Sequence, residues 1–568
     1  MPFDLLITGG TLLDGTGAPP RRADVAVTGD TITAVGLLPN APARARLDLS
    51  RSLDPGSPLR PSSASVPRSD FPASRQPAEP SELRRASRVP ISEFRAPRSA
   101  FLCPGFIDVH SHSDAYLLIE PSATSKIFQG VTTEVIGNCG ASAAPLLGDY
   151  RMPSDWAAFD YPTTWRSVAE YRRAVEAARP APNLVMLAGH NTIRAGVVGY
   201  ANRPPTAAEL RRMIRVLEQS MDEGARGLST GLIYAPGMFA RRAEITALAR
   251  VAAARSGIYT SHMRSEGNRL LAAIREALAI GSAAGIRVEI SHLKTSGRSA
   301  WGLLDRALEL IERARGSGLE VAADRYPYTA SSTDLDSILP NWAAEGGREA
   351  EIQRLRDPAG RRRLRAELLR SKPAEYWTAI TIGSSTHPDC RPFQGQPLCD
   401  VARRLGMAPV DAALHLMATD ELRTSAFFFS MSEENMLTVL RQPYVMIGSD
   451  SSLRAPTGPL SHDFPHPRNY GAFPRFLRMA LDGRTVPLPE AVRKMTGLPA
   501  AQFRLPDRGV IAPGRKADLV VFDPVRVRDT ATFAAPHRLA EGIEHVIVNG
   551  TLTLSRGKLT GRRAGRFL

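Results

Sequence analysis

His110 and His112 stand one residue apart at the end of an apolar run, Phe106-Ile107-Asp108-Val109-His110-Ser111-His112, and Cys139 lies between glycines in Gly137-Asn138-Cys139-Gly140. In an extended strand alternate side chains share a face, so the pair would present two imidazoles together. Imidazole and thiolate are ligands that zinc prefers. Two further histidines close apolar runs, His262 in GIYTSHMRSEG and His292 in IRVEISHLK, and Asp450 closes another in YVMIGSDSS. Five potential ligands and one carboxylate thus share one local setting, which points to a metal site.

Short β-branched runs of that kind recur: FIDVH, TTEVIGN, NLVMLAGH, ARGLSTG, GIYTSHM, IRVEISHLK, LEVAADRYPY and YVMIGSD. Most are separated by stretches with apolar residues at three- and four-residue spacing, such as 207–224 and 270–285. Eight strand–helix repeats with polar strand ends predict an α/β fold, a (β/α)8 TIM-like barrel over 100–504, with its site at the C-terminal ends of the strands. An open doubly wound sheet would need a glycine-rich nucleotide fingerprint, which the sequence lacks.

About a hundred residues, 338–440, separate the seventh and eighth runs, and their length predicts an inserted, lid-like unit with its own helices. DPAGRRRLRAELLR reads as one helix and DVARRLGMAPVDAALHLMATD as another, with His415 packing rather than binding metal. The two ends echo one another, DLLITGGTLLDGTG against EHVIVNGTLTLSRGKLTG and ADVAVTGD against ADLVVFDP, and predict one small β-sandwich domain built from 1–49 and 505–568. Residues 50–99 are rich in Pro, Ser and Arg and read as a disordered insertion.

The chain has 568 residues, 43% of them apolar, and no apolar run long enough to span a bilayer. Its start lacks the pattern of a secretory signal. Four cysteines, Cys103, Cys139, Cys390 and Cys399, argue for a reducing compartment, so a cytoplasmic enzyme without a membrane partner is expected. Cys103 reads as a buried small hydrophobe. A formal net charge of +15 raises the question of nucleic acid, but the arginines are scattered and no aromatic interleaving accompanies them, so solvated arginines are the expected explanation.

Taken together, LITGGTLLDGTG, PGFIDVHSHSD, GVTTEVIGNCGASAAP, GHNTIRAGVVG, GLSTGLIYAPG, YTSHMRSEG, EISHLK, DRYPYTASST, IGSDSS, HPRNYGAFPRFL and GVIAPGRKADLVVFDP resemble the N-acyl-D-amino-acid deacylases (D-aminoacylases) of the amidohydrolase superfamily, nearly end to end. The resemblance implies a zinc hydrolase of N-acyl-D-amino acids. It implies that Cys139, His262 and His292 hold a tightly bound zinc and that His110 and His112 line a second, weaker position that Cys139 can bridge. Cys139 takes the place that a carboxylated lysine fills in many relatives. Asp450 would act as general base and then acid, and the resemblance offers Tyr234 as a partner for the oxyanion.

An N-acyl amino acid carries a free carboxylate, which a planar guanidinium grips best. Arg468 in HPRNYG is the candidate. Lys294, two residues past His292 and so expected on the same strand face, would assist, and Ser332 would add a hydroxyl contact. Tyr326 and Tyr328 are both offered as substrate contacts, with the inward one undecided. The expected partner is this small-molecule substrate. Alternatives are an amidohydrolase acting on cyclic amides or isoaspartyl dipeptides, or a non-catalytic binding protein on the same scaffold. His190, at the end of the third run, reads at least equally well as a hydrogen-bonded structural histidine.

Overall fold

The computed structural model describes residues 2–38, 41–50, 100–148, 150, 156, 159, 161 and 163–568; the expected disordered insertion, 50–99, lies outside them apart from Ser50. Eight parallel strands form the catalytic unit: β1 (Phe106–Asp108), β2 (Val131–Ile136), β3 (Asn183–Met186), β4 (Gly227–Gly231), β5 (Ile258–His262), β6 (Arg287–Ile290), β7 (Val321–Arg325) and β8 (Val445–Ile447). Each pairs with the next in chain order, β3 reaching β4 through its continuation Ala188–Gly189. A single parallel bridge, Ser111 to Ser451, joins β1 to β8 and closes the barrel.

The strands are buried almost throughout, as a parallel sheet sheathed in helices requires. Ile107, Val109, Val135, Val185, Leu187, Ile258, Ala322 and Met446 form one apolar cluster, to which Ala500, Phe503 and Leu505 add from the segment that follows the last barrel helices. A second, larger cluster lies where the helices 207–222, 242–254, 270–284 and 304–316 pack on β4 to β7.

Both ends of the chain build two further sheets. Phe3–Thr8 lies between Asp24–Thr28 and Ala43–Asp48, while Leu519–Phe522, Ile543–Val548 and Thr551–Ser555 join a sheet that also takes in Thr11–Leu12. Ile7, Val25, Val27, Leu102, Leu519 and Ile547 share the core of this β unit. Phe101–Pro104 pairs with both Thr11–Leu12 and Leu519–Phe522. That strand therefore belongs to the small sheet, and the barrel expected from residue 100 starts with Phe106. Cys103, on that strand, is fully buried and free.

The segment before β8 carries helices around its own apolar core: the expected one at Pro358–Ser371, one before it at Arg348–Arg356 beyond those expected, and Leu398–Leu405 and Pro409–Thr419. The single helix expected around 400–420 is two, broken at Gly406, whose φ of +65° ends the first, and restarted at Pro409. It also carries strands that periodicity does not reveal. Ile380–Ile382 and Ser331–Asp334 flank Ser425–Phe428 in an antiparallel sheet, so the inserted unit starts several residues before 338.

Candidate active site

The site is assembled where β1, β5, β6 and β8 end and where the turn after β2 brings in Cys139. Ligand atoms of His110, Cys139, His292 and Asp450 all lie within 4.8 Å of one another, and those of His262, Glu266 and His292 form a second such group. His110 Nε2 is 3.2 Å from Cys139 Sγ, His292 Nε2 is 3.7 Å from the same sulfur, and His262 Nδ1 is 2.9 Å from His292 Nε2. His112 Nε2 lies 3.3 Å from Asp450 Oδ1. The expected alternation of a strand does not extend to the histidines, because β1 ends at Asp108; the two rings still meet edge to face at 5.3 Å.

Three residues of this cluster, Cys139, His292 and Asp450, have φ of +51°, +38° and +50°. Non-glycine residues enter that region at a cost, so their surroundings must hold them there. The amide of His292 donates to Asp324 Oδ1 at 3.0 Å and that of Asp450 to the His110 carbonyl at 2.8 Å. Around Cys139 the neighbours are glycines for want of space. A Cβ on Gly231 would fall 2.0 Å from the Cys139 carbonyl oxygen, and one on Gly140 2.2 Å from Asn191 Oδ1.

The imidazoles are oriented from behind. His110 Nδ1 donates to Asp324 Oδ2 at 3.0 Å, which leaves Nε2 facing the sulfur. His292 Nδ1 lies 2.8 Å from Glu266 Oε1 and 2.8 Å from Lys294 Nζ. Sequence reasoning missed both carboxylates. Asp324 offered a signal, since it closes the LEVAAD run as His262 and His292 close theirs, whereas a lone Glu266 four residues past His262 offers none.

Burial raises the Cys139 thiol, but His110, His112 and His262 outweigh it and hold the group well below the usual thiol range. Burial likewise raises Asp450, and Arg468, His292 and His110 bring it well below the usual carboxylate range. The hydroxyl of Tyr234 is driven well above its ordinary value by burial and then by the Cys139 charge.

Arg468 starts the helix Arg468–Leu481 and is 4% exposed. Its Nη1 donates to Asp450 Oδ2 at 2.8 Å and its guanidinium lies 4.6 Å from the centre of the Tyr326 ring. Tyr326 is the inward tyrosine of the RYPY pair. Its hydroxyl is buried without a hydrogen-bond partner, whereas Tyr328 turns away to donate to Asp529 Oδ2 at 3.3 Å. His466 Nδ1 accepts from the Arg468 amide at 3.0 Å while Nε2 donates to the Ala330 carbonyl at 3.0 Å, so a neutral imidazole fixes the start of the helix.

Ser332 meets Arg468 through its backbone carbonyl, 3.2 Å from Nη2, and the hydroxyl of the neighbouring Thr333 lies 3.0 Å from Tyr234 Oη, residues 331–334 running as a strand of the inserted sheet. One expectation needs correction. Lys294 does not extend the face of β6, which stops at Ile290 before the left-handed turn at His292. Its ammonium is paired with Glu266 and lies beside His292. Tyr234 packs edge-on against His262 with ring centres 5.0 Å apart. His190 is absorbed in its own buried network, with Nε2 2.9 Å from Glu244, which also holds Arg194.

The donor set fits a zinc ion. Two imidazole nitrogens 2.9 Å apart and a thiol held toward its anionic form make a borderline-soft site.

A closed (β/α)8 barrel with paired histidines after its first strand and single histidines after its fifth and sixth defines an amidohydrolase. The model of the amidohydrolase family matches residues 99–553, and the chain belongs to that family. Within it the chain falls in the D-aminoacylase branch. It is 35% identical over 568 residues to the N-acyl-D-glutamate deacylase of Alcaligenes xylosoxydans xylosoxydans and 36% identical over 576 to the D-aminoacylase of that organism, spanning 100% of this chain and 96% and 98% of theirs. A crystal structure of N-acyl-D-glutamate deacylase from Bordetella bronchiseptica, complexed with zinc and a phosphonate mimic of the tetrahedral intermediate, superposes with a TM-score of 0.79 at 34% identity, covering 100% of both chains.

Proposed function

We propose that the protein hydrolyses the amide bond of N-acyl-D-amino acids, releasing a carboxylate and a free D-amino acid, with zinc held by Cys139, His262 and His292 and a second, weaker position at His110 and His112. The observation that carries this reading is the meeting of a thiol, imidazoles and Asp450 with a buried Arg468 at one barrel mouth. Zinc, when bound, supplies Lewis acidity for the scissile carbonyl and for the attacking water.

The chain's own groups do the rest. Asp450, ionised and held against His112, accepts the proton of the water and later delivers it to the departing amine. Tyr234 keeps its proton and so can donate a hydrogen bond where negative charge develops on the carbonyl oxygen. Arg468 and the free hydroxyl of Tyr326 take the substrate carboxylate, with the Lys294 ammonium adding charge from beside His292.

No described helix is long and apolar enough to cross a membrane. We place the enzyme in the reducing cytoplasm, where Cys139 stays a free thiol, acting on small molecules and not on nucleic acid. The test is zinc content by elemental analysis combined with amine release from a panel of N-acetyl-D- and N-acetyl-L-amino acids. About one or two zinc per chain with release from D substrates is expected, and release from L substrates alone would overturn the stereochemical reading.

A further inference from the structure

Lys126 is a lysine with no exposed surface, carried by the short helix Thr124–Ile127 between β1 and β2. Its ammonium donates to Asp108 Oδ2 at 2.7 Å, Ser449 Oγ at 2.8 Å and the Ser451 carbonyl at 3.0 Å, and lies 3.4 Å from Glu134 Oε2. Both carboxylates are fully buried as well. Such a cluster is costly to bury, and no catalytic step above uses it.

Besides the His110 amide, which donates to Asp108 Oδ1 at 3.3 Å, its connections among the described residues run mainly to two places. Asp108 accepts from the Ser449 amide at 2.8 Å and the Ser449 hydroxyl at 2.6 Å, so one arm grips the residues on either side of Asp450. Glu134 accepts from Ser111 Oγ at 2.5 Å and Ser113 Oγ at 2.6 Å, so the other arm grips the residues on either side of His112. The arms meet again at the Ser451 carbonyl, which takes the His112 amide at 3.2 Å. The side chains between the arms, Asp450 and His112, face each other at 3.3 Å.

The position needs such support. Asp450 sits in left-handed backbone at the seam where β8 meets β1, and the described pairing across that seam is one bridge, not a ladder. Its amide is held by the His110 carbonyl at 2.8 Å, and its carboxylate is held on the far side by the ion pair with Arg468, which a bound substrate would contest.

We infer that Lys126 is a positioning residue for the hydrolysis: through Asp108 and Ser449 on one side and Glu134 and Ser113 on the other, it holds Asp450 against His112 in the geometry that proton transfer requires. This rests on Asp450 being the proton carrier. Displacing a reacting group by about 1 Å costs on the order of 100-fold in rate without weakening ground-state binding, so the loss falls on kcat.

The experiment compares Lys126→Met, Ser449→Ala and their double variant for kcat, KM, zinc content and thermal midpoint. Arg508→Met serves as a control, since it breaks a buried ion pair with Asp518, which accepts from Asn183 at the start of β3, the end opposite the strand ends that carry the site. Asp450→Asn is assayed alongside. Lys126→Met should lose about 100-fold in kcat with KM within threefold and zinc unchanged, and Ser449→Ala about tenfold. The double variant should be little worse than Lys126→Met, because both cut the same arm. If Lys126→Met does not fold, the loss in kcat at constant KM and zinc in Ser449→Ala decides. Wild-type kcat in these variants, or an equal loss in the control at a matched thermal midpoint, overturns the inference. Turnover retained by Asp450→Asn would instead overturn the assignment of the base, which separates the two failures.

Discussion

Asp450 gathers more of the site's charge than any neighbour: one oxygen faces His110 and His112 at 3.4 and 3.3 Å, the other takes Arg468 at 2.8 Å. Asp450→Asn preserves that shape while removing the proton acceptor. It should keep zinc bound through Cys139, His262 and His292 and lower kcat by about 100- to 10,000-fold; a steady-state assay with metal analysis on the same sample checks both, and near-normal turnover would remove Asp450 from the chemistry. Arg468→Lys keeps a charge but loses the planar fork, so KM should rise about tenfold, the worth of one charge-assisted hydrogen bond. An unchanged KM would mean that the carboxylate is held elsewhere. The residues that could be picked out from sequence are those with unusual chemistry at strand ends, His110, Cys139 and Asp450 among them. Those that orient them, Glu266, Lys126 and Glu134, are ordinary charges whose roles depend on contacts between distant segments. Asp108, though inside the first motif, shows its role only when Ser449 and Lys126 arrive beside it.

Strands and helices differ in how far sequence discloses them. Each barrel strand could be read because it is a short run rich in apolar and β-branched residues, as a parallel strand covered on both sides favours, closed by polar residues where it opens into the site, even though β2 and β6 bury Glu134 and Glu289 within them. The strand 331–334 is half-buried along its length and Phe101–Pro104 is wholly buried, and each belongs to a sheet whose partners are far away in sequence, so neither announces its place. The inserted unit also holds a titrating pair. Burial, then the neighbouring Glu351 charge, raises Asp336 to about 7, and burial raises Glu351 to about 7 despite Arg354 and Arg348. Between the ordinary carboxylate range and pH 7 the folded unit binds more protons than the unfolded chain. Its stability from this pair is therefore full at acid pH and is lost as pH rises through about 7. Hydrogen exchange of helix Arg348–Arg356 should quicken between about pH 4.5 and 7.5 beyond the intrinsic base-catalysed increase and show no further excess above that, and Asp336→Asn should flatten the excess. Equal protection across the range would show that the carboxyls ionise without cost.

At the scale of the molecule, the β unit has to form from segments at opposite ends of the chain, and its sheets show where the long 50–99 stretch attaches. Ala43–Asp48 pairs with Phe3–Thr8 in one sheet and Phe101–Pro104 with Thr11–Leu12 in the other, so the two flanks run beside successive strands of the chain's first segment. The flanks converge on two glycines: a Cβ on Gly9 would lie 2.7 Å from the Ser50 Cβ, and one on Gly10 would lie 2.8 Å from Leu49 Cδ1 and 3.7 Å from the Ala100 carbonyl oxygen. Ser50 and Ala100 thus both lie beside the Gly9–Gly10 pair, and a short turn can bridge a gap of that size. The site residues identified among the described residues all lie outside this stretch. Deleting 52–98 should therefore leave zinc content, kcat and KM within about twofold of the full chain and should not lower the thermal midpoint, a short connection costing little entropy to close. Purification of the deleted chain, followed by metal analysis and a thermal scan, checks this directly; loss of folded protein would show that the stretch contributes to the β unit rather than being carried by it.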